Sequence, residues 1–266
     1  MPTEFKLEKF VKEVLEAEVS RNDCFLEDAN QLLVSEGNED VRSSMFGYPT
    51  YPLYRCLSAM LQTWMETKKC PVLALPRYEL LDEKGYEETR AAVIASVTPL
   101  LTGLESLWQM WTAEEIKFRV REILMLLCKR GILDLLGLRK TVGSKEKFPP
   151  SRMRLMESFK EKHSVKSELW VGARALSKHY HRDHSTSWWG NCTGSEEEKN
   201  VYALDKVTKI LNNATWINIH WLPHDVYILE VRQENGYGAR WVADGSSFRG
   251  FLEPQMEGGH DVGWRH

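Results

Sequence analysis

The hydrophobic period of this chain changes once, close to Trp216, and that change limits the folds open to it. Before this point apolar residues recur every three or four positions among lysines and glutamates, which is the spacing of amphipathic helices. After it, short β-rich runs at residues 216–222, 226–232, 237–243 and 247–252 are separated by turn-forming residues. Helices followed by consecutive strands predict an α+β fold, with a helical N-terminal region and helices packed on a C-terminal antiparallel β-meander.

Local signals divide the chain further. Thr112 with Glu115, and Ser195 with Glu198, have the spacing of capping boxes, so each pair predicts the start of a helix. Residues 139–150 are polar and basic and end in two prolines, which indicates an exposed linker. The predicted organisation is therefore a helical region over residues 1–138, a basic linker over 139–150 and an α+β region over 151–266.

Cysteine usage and the apolar runs indicate the compartment. The five cysteines are odd in number and form no C-x-x-C pair, which favours free thiols in a reducing compartment. The N-terminus lacks the basic-then-apolar order of a secretory signal. The most apolar run, residues 123–138, contains Lys129, Arg130 and Asp134, which are costly in a bilayer. We predict a cytoplasmic or nuclear protein without a membrane span.

Charge bears on the class of partner. The formal net charge of -3 argues against a general polyanion binder, although residues 117–166 carry 14 Lys/Arg against 5 Asp/Glu. This basic stretch is either a solvated face or a contact for an acidic partner. Residues 248–253 resemble the aromatic and basic strand of an RNA-recognition motif, but the order of the neighbouring runs differs and the C-terminal region is not basic. Nucleic acid is therefore not expected as a partner.

Chemically capable side chains are concentrated in the C-terminal half. All eight histidines lie at or beyond His163, and strand alternation places His220 on one sheet face with Glu230, Arg232 and arginines of the later strands. Guanidinium groups bind phosphate and carboxylate, so these arginines could bind an anionic ligand. Alternatively, they form cross-strand ion pairs on a solvated sheet face. We predict a binding protein without a cofactor, whose cleft takes a protein partner or a small anionic ligand and is lined by His184, Trp188, Trp189, His220, Arg240 and Arg249.

A second interpretation rests on one motif. The order His-x-His-x-Asp-His at residues 179–184 resembles the metal-binding signature of the metallo-β-lactamase superfamily. The resemblance implies that His179, His181, Asp183 and His184 bind zinc in a metal-dependent hydrolase, in which metal-activated water attacks an ester, amide or phosphoester. On a continued helix, however, His179 and His181 lie about 200° apart and cannot share a metal. Whether the protein is an enzyme stays open at the level of the sequence.

Overall fold

The computed structural model describes residues 6–21, 24–36, 40–78, 83, 85–179, 187–222 and 226–255. This part of the chain contains eight α-helices and a four-stranded antiparallel sheet, so the predicted α+β fold is confirmed. The helices are α1 (Leu7–Val19), α2 (Ala29–Leu33), α3 (Leu53–Thr67), α4 (Glu87–Leu107), α5 (Ala113–Leu135), α6 (Arg152–Lys160), α7 (Val171–His179) and α8 (Glu196–Asn212). The strands are β1 (Ala214–Leu222), β2 (Val226–Gln233), β3 (Gly238–Val242) and β4 (Phe248–Leu252), and they lie in the order β1-β2-β3-β4.

The N-terminal helices α1, α3, α4 and α5 pack on one another through their apolar stripes. Val11 of α1, Leu57 of α3 and Leu124 of α5 are fully buried in this core. Helix α5 starts at its predicted capping box, where Thr112 Oγ1 accepts a hydrogen bond from the Glu115 amide and Glu115 Oε2 accepts one from the Thr112 amide. The Ser195–Glu198 box opens α8 in the same way, so both predicted helix starts are confirmed.

Helix α4 and the short turn after it, Glu87–Met110, form the one segment of the described chain that is long and apolar enough to cross a membrane by length and composition. Its inner face carries the buried Val97, Leu101 and Leu104 and packs against α3 and α5. Trp64 of α3 donates a hydrogen bond to Thr98 over 3.2 Å. In this structure that inner face belongs to the helical core, and the other residues of the segment are partly or fully exposed.

One face of the sheet carries the C-terminal hydrophobic core. Helices α6, α7 and α8 cover this face, which presents Val231, Trp241 and Phe251. Trp241 Nε1 donates to the Leu155 carbonyl of α6 over 3.1 Å, and the Phe159 ring packs edge-on against Phe248 at 4.9 Å between centroids. Because successive strand residues point to opposite sides, the residues between these apolar ones lie on the other face.

Residues 138–145, which we call the edge segment, lie along the outer edge of β1. The Arg139 and Lys145 amides donate to the carbonyls of Ile217 and Ile219, both over 2.7 Å, and the Trp221 amide donates to Gly143 over 3.1 Å. The division into two regions and a linker stays a prediction. The basic stretch predicted to be exposed is, however, hydrogen-bonded to the sheet over most of its first half, and Arg139 itself is buried.

Candidate functional site

Four polar side chains of the sheet meet on the face opposite the helices. Glu230 is on the central strand β2, where its direct neighbours are Asn218 of β1 and Arg240 of β3. His220 and Arg232 each lie two residues from one of these positions and therefore point to the same face. The antiparallel register thus places one histidine, one carboxylate and two arginines side by side; we call these four residues the Glu230 cluster.

Glu230 holds the cluster together through both carboxylate oxygens. Arg232 Nε donates to Oε1 over 2.6 Å, and Arg240 donates to Oε2 from Nη2 over 2.7 Å and from Nε over 3.2 Å. His220 Nε2 lies 3.5 Å from the same Oε2. Burial raises the pKa of Glu230, but His220 and the two arginines lower it by more, so its pKa lies well below the usual range. The carboxylate is therefore ionised at neutral pH.

The members of the Glu230 cluster differ in their access to solvent. Glu230 is only 2% exposed, and Arg232 is fixed beneath the surface by donating from Nη1 to the carbonyls of Gly236 and Glu253, both over 2.7 Å. The side chains of His220 and Arg240 are 19% and 16% exposed. Within the described chain, Arg240 Nη1 makes no hydrogen bond. His220 and Arg240 can therefore reach a bound molecule while Glu230 and Arg232 support them from below.

The edge segment extends this face beyond β1. Ser144 is paired with His220, and Ser144 Oγ donates to Asn218 Oδ1 over 2.8 Å. Asn218 Nδ2 in turn donates to Thr141 Oγ1 over 2.9 Å. These hydrogen bonds fix the backbone on one side of His220.

The residues that the sequence predicts for one cleft are distributed over both faces of the sheet. His220 and Arg240 are joined through Glu230, whereas Trp189 is buried on the helix-covered face with its ring 5.0 Å from that of Phe251. Trp188 stacks on Tyr237 at 4.5 Å. Arg249 is exposed on β4, and His184 is outside the described residues. Ligand binding by these residues stays a prediction, and the two tryptophans contact the hydrophobic core.

Residues of the predicted metal site are described only in part. His179 is the last residue of α7, and its Nδ1 lies 2.7 Å from Glu253 Oε1, in a buried pair beside Trp189. His181 and Asp183, like His184, are outside the described residues. Among the residues that are described, no three His, Cys, Asp or Glu side chains form a group that could hold a metal ion. Zinc binding by the predicted set therefore stays untested.

Alternation predicted that Glu230 and Arg232 share a face with His220, but it did not identify Glu230 as the centre of the site. That role follows from the register of two hairpins, which brings Arg240 opposite Glu230. The available signal was a lone carboxylate on the middle strand, flanked on the same face by basic residues.

Comparison with families of known proteins finds a similarity in the C-terminal part of the chain. Residues 159–253 match the family model described as the CdiA C-terminal tRNase toxin domain. The match spans α7, α8 and all four strands, including every member of the Glu230 cluster, and covers about a third of the chain. No curated protein and no solved structure matches the chain.

This similarity corrects three of the predictions made from the sequence. The prediction of a binding protein for a protein partner or a small anionic ligand is wrong, because the matching family is one of tRNase toxins. The alternative prediction, a metallo-β-lactamase-like hydrolase, is wrong for the same reason. The expectation that nucleic acid is not a partner is wrong for the same reason. The expectation was based on the net charge, which is an average over the whole chain, whereas nucleic-acid binding depends on local groups of basic residues.

Proposed function

We propose that residues 159–253 form a ribonuclease domain that cleaves tRNA, with the Glu230 cluster as its active site. Two observations support this function together. The segment resembles a tRNase toxin domain, and it places a histidine and an arginine at the surface around one buried, ionised carboxylate. The pairing of His220 with Glu230 is the observation that carries the proposal, because it supplies a proton-transfer group held in one orientation.

The proposed reaction uses the ribose 2′-hydroxyl of the substrate. The 2′ oxygen loses its proton and forms a bond to the adjacent phosphorus, and the bond from phosphorus to the 5′ oxygen of the next nucleotide breaks. The products are a 2′,3′-cyclic phosphate and a 5′-hydroxyl group. His220 takes the proton of the 2′ hydroxyl on Nδ1, since Nε2 faces the Glu230 carboxylate and the contact of Nδ1 with the Trp221 carbonyl is long, at 3.4 Å. The departing 5′ oxygen takes a proton from water, and the imidazolium then returns its own proton to water.

Arg240 has a separate role in this reaction. Negative charge builds up on the phosphoryl oxygens in the transition state, and a fixed guanidinium group stabilises it without reorganisation. Arg240 is fixed from one side by Glu230, and its Nη1 is left to bind a phosphate oxygen. Glu230 and Arg232 do not contact substrate in this scheme and act as positioning residues.

Cleavage of purified tRNA by the full-length protein tests the proposal, with analysis of the products for 2′,3′-cyclic phosphate ends. We expect His220→Ala to reduce the rate roughly 10²- to 10⁴-fold, and Arg240→Ala to reduce it on the order of 10²-fold. Arg174→Ala is the matched control, because Arg174 is an exposed arginine of the same matched segment on α7. It should cleave at the wild-type rate.

Two results would overturn the proposal. One is the absence of cleavage of any tRNA by the folded wild-type protein. The other is a His220→Ala variant that melts at the wild-type temperature and cleaves at the wild-type rate.

A further inference from the structure

Two aromatic and two basic side chains form an exposed patch at the end of β1. Trp221 and Tyr227 are direct cross-strand partners, and Trp221 is 50% exposed. Lys145 Nζ lies 5.5 Å and Lys147 Nζ 5.3 Å from the centre of the Tyr227 ring. We call these four residues the aromatic–lysine patch.

The two lysines of the patch differ from a neighbouring lysine in their ion pairing. Within the described chain, neither Lys145 nor Lys147 has a carboxylate partner, whereas the neighbouring Lys140 pairs with Glu146 at 2.7 Å. Both side chains are exposed. Positive charge and flat apolar surface are therefore presented together on one small area.

The patch is built by two distant parts of the sequence. Lys145 is held in place because its amide donates to Ile219 of β1 over 2.7 Å, and Trp221 donates back to Gly143. Both lysines precede residue 159, so they are outside the segment that matches the tRNase family model. The N-terminal region thus completes a surface that the matched segment provides only in part.

The position of the patch relates it to the Glu230 cluster. Trp221 is the residue after His220, and because strand side chains alternate, the two point to opposite faces of the sheet at the same end of β1. The edge segment follows the same alternation, since Ser144 contacts Asn218 on the cluster face while Lys145 lies over Tyr227. A flexible chain that passes over this end of the sheet can contact both sites.

The chemistry of the patch favours single-stranded RNA as its occupant. Aromatic side chains stack on unpaired bases, and lysines bind the adjacent phosphates. The bases of a duplex are stacked inside the helix and cannot use an exposed Trp ring in this way. The centres of protein–protein interfaces are depleted of lysine, so two unpaired lysines beside the aromatic rings do not favour a protein partner.

We infer that the aromatic–lysine patch binds an unpaired stretch of the RNA substrate and thereby directs cleavage to loop nucleotides rather than to base-paired stems. This inference rests on the proposed ribonuclease function and names the part of the substrate that the site selects. Trp221 stacks on a base, while Lys145 and Lys147 bind the phosphates next to it.

Binding of a short fluorescent oligoribonucleotide tests the inference directly. The probe carries 2′-O-methyl groups, which remove the attacking hydroxyl and prevent cleavage, and affinity is measured by fluorescence anisotropy with the full-length protein. We expect Trp221→Ala to weaken binding roughly 10-fold. Trp221→Leu keeps an apolar side chain on the strand but lacks the ring, so it should also weaken binding while preserving the fold.

The lysines are tested by the salt dependence of the same binding. Lys145→Ala/Lys147→Ala should reduce the slope of log affinity against log salt by about 1.4, since each contact with single-stranded nucleic acid contributes about 0.7. Lys69→Ala/Lys166→Ala is the matched control, because it removes two exposed lysines that are not part of the aromatic–lysine patch. Its slope should equal that of the wild type.

The outcomes separate this inference from the proposed function. Wild-type affinity in both Trp221 variants and in the Lys145/Lys147 variant would overturn the inference even if tRNA is cleaved. An equal loss of affinity for a duplex probe of the same sequence would also overturn it, because stacking on an unpaired base would then not be the contact. Patch-dependent binding of the single strand without any cleavage of tRNA would support the inference and overturn the catalytic proposal.

Discussion

Glu230 is the residue on which the candidate site depends most. Its carboxylate is almost completely buried and is contacted by three basic side chains. Burial opposes ionisation, yet the pKa of Glu230 is lowered because the histidine and the two arginines favour the charged form more strongly. A group whose pKa is depressed in the folded state stabilises that state at every pH above the pKa of the unfolded chain.

We expect Glu230→Gln to destabilise the protein by about 3 kcal/mol at pH 7, because it leaves the buried Arg232 and the partly buried Arg240 without their shared carboxylate. The difference from the wild type should persist down to about pH 4.3, the ordinary pKa of glutamate, and then shrink as the pH falls further. Urea unfolding at a series of pH values measures it.

Glu197→Gln is the control for this substitution, because Glu197 is exposed on α8. Its effect should stay within about 0.5 kcal/mol at every pH. A Glu230→Gln deficit that is independent of pH down to pH 2 would show that the stabilisation does not come from the ionised carboxylate.

At the scale of single residues, the sequence predicts which side chains share a sheet face but not which of them meet. Side-chain alternation within the strands indicated a common face for His220, Glu230 and Arg240, whereas the register of the hairpins decides that Arg240 lies opposite Glu230. The location of Trp188 and Trp189 depends on how the chain returns from α7 to α8, and nothing in the adjacent residues specifies that path. The burial of Trp189 beside Phe251 and the stacking of Trp188 on Tyr237 are properties of tertiary packing.

Among the helices, α7 shows how closely one element is fitted to its neighbours. A Cβ atom on Gly172 would lie 2.0 Å from Phe159 Cε2 on α6. Only glycine therefore allows α7 to approach the ring that also packs against Phe248 and Phe251 of β4. The position of α7 on the sheet depends on this contact.

Two alanine substitutions test this contact against intrinsic helix preference. Gly172→Ala should lower the free energy of unfolding by roughly 1–3 kcal/mol, because the added methyl group overpacks the contact with Phe159. Gly103→Ala in α4 should raise it by about 0.5–1 kcal/mol, since a Cβ there meets no atom within 4 Å and alanine favours the helix. Thermal and urea unfolding of both variants give the comparison. Stabilisation by Gly172→Ala would show that α6 and α7 are not packed this closely.

Helix starts could be predicted better than helix interruptions. Capping boxes are local, and both Thr112–Glu115 and Ser195–Glu198 gave the correct first turn. Within α5 the backbone leaves helical geometry at Cys128, with φ 47° and ψ -173°, whereas the nearby glycines, the residues that most often interrupt a helix, come later in the sequence, at Gly131 and Gly137. We have no physical account of the break at Cys128.

For the whole molecule, the contacts between the helical region and the sheet region are polar as well as apolar. Tyr48 and Tyr51 donate to the carbonyls of Pro150 and Pro149 over 2.8 and 2.7 Å. Arg139 donates to Glu83 over 2.8 Å and to the Thr215 carbonyl over 3.1 Å. A single cluster of buried apolar residues runs through both regions.

We therefore expect the full chain to unfold in one cooperative step. Far-ultraviolet circular dichroism reports mainly on the helices, whereas the fluorescence of the ten tryptophans, which occur in both regions of the sequence, reports on tertiary packing, and the two urea transitions should coincide. Separate midpoints for the two signals would show that the regions are independently stable domains.

The edge segment shows why the organisation of the whole molecule was harder to predict than its elements. Lysines and prolines at residues 139–150 have the composition of a linker, and composition is a local property. The partner of this segment, β1, lies about 80 residues later in the chain. Backbone hydrogen bonds between segments so distant in the sequence produce no periodic pattern of apolar residues. The position of the edge segment beside β1 was therefore not predicted.

The two-residue period of the sheet also sets a rule for how this sequence can change in length. The Glu230 cluster draws its members from three neighbouring strands that are joined by short hairpins. One extra residue inside β3, between Gly238 and Arg240, would turn Arg240 toward the helices, whereas two extra residues would return it to the cluster face. Insertions of an odd number of residues in these strands should therefore abolish function, whereas insertions of an even number should retain it. Insertions in the loop between α6 and α7 should show no such parity.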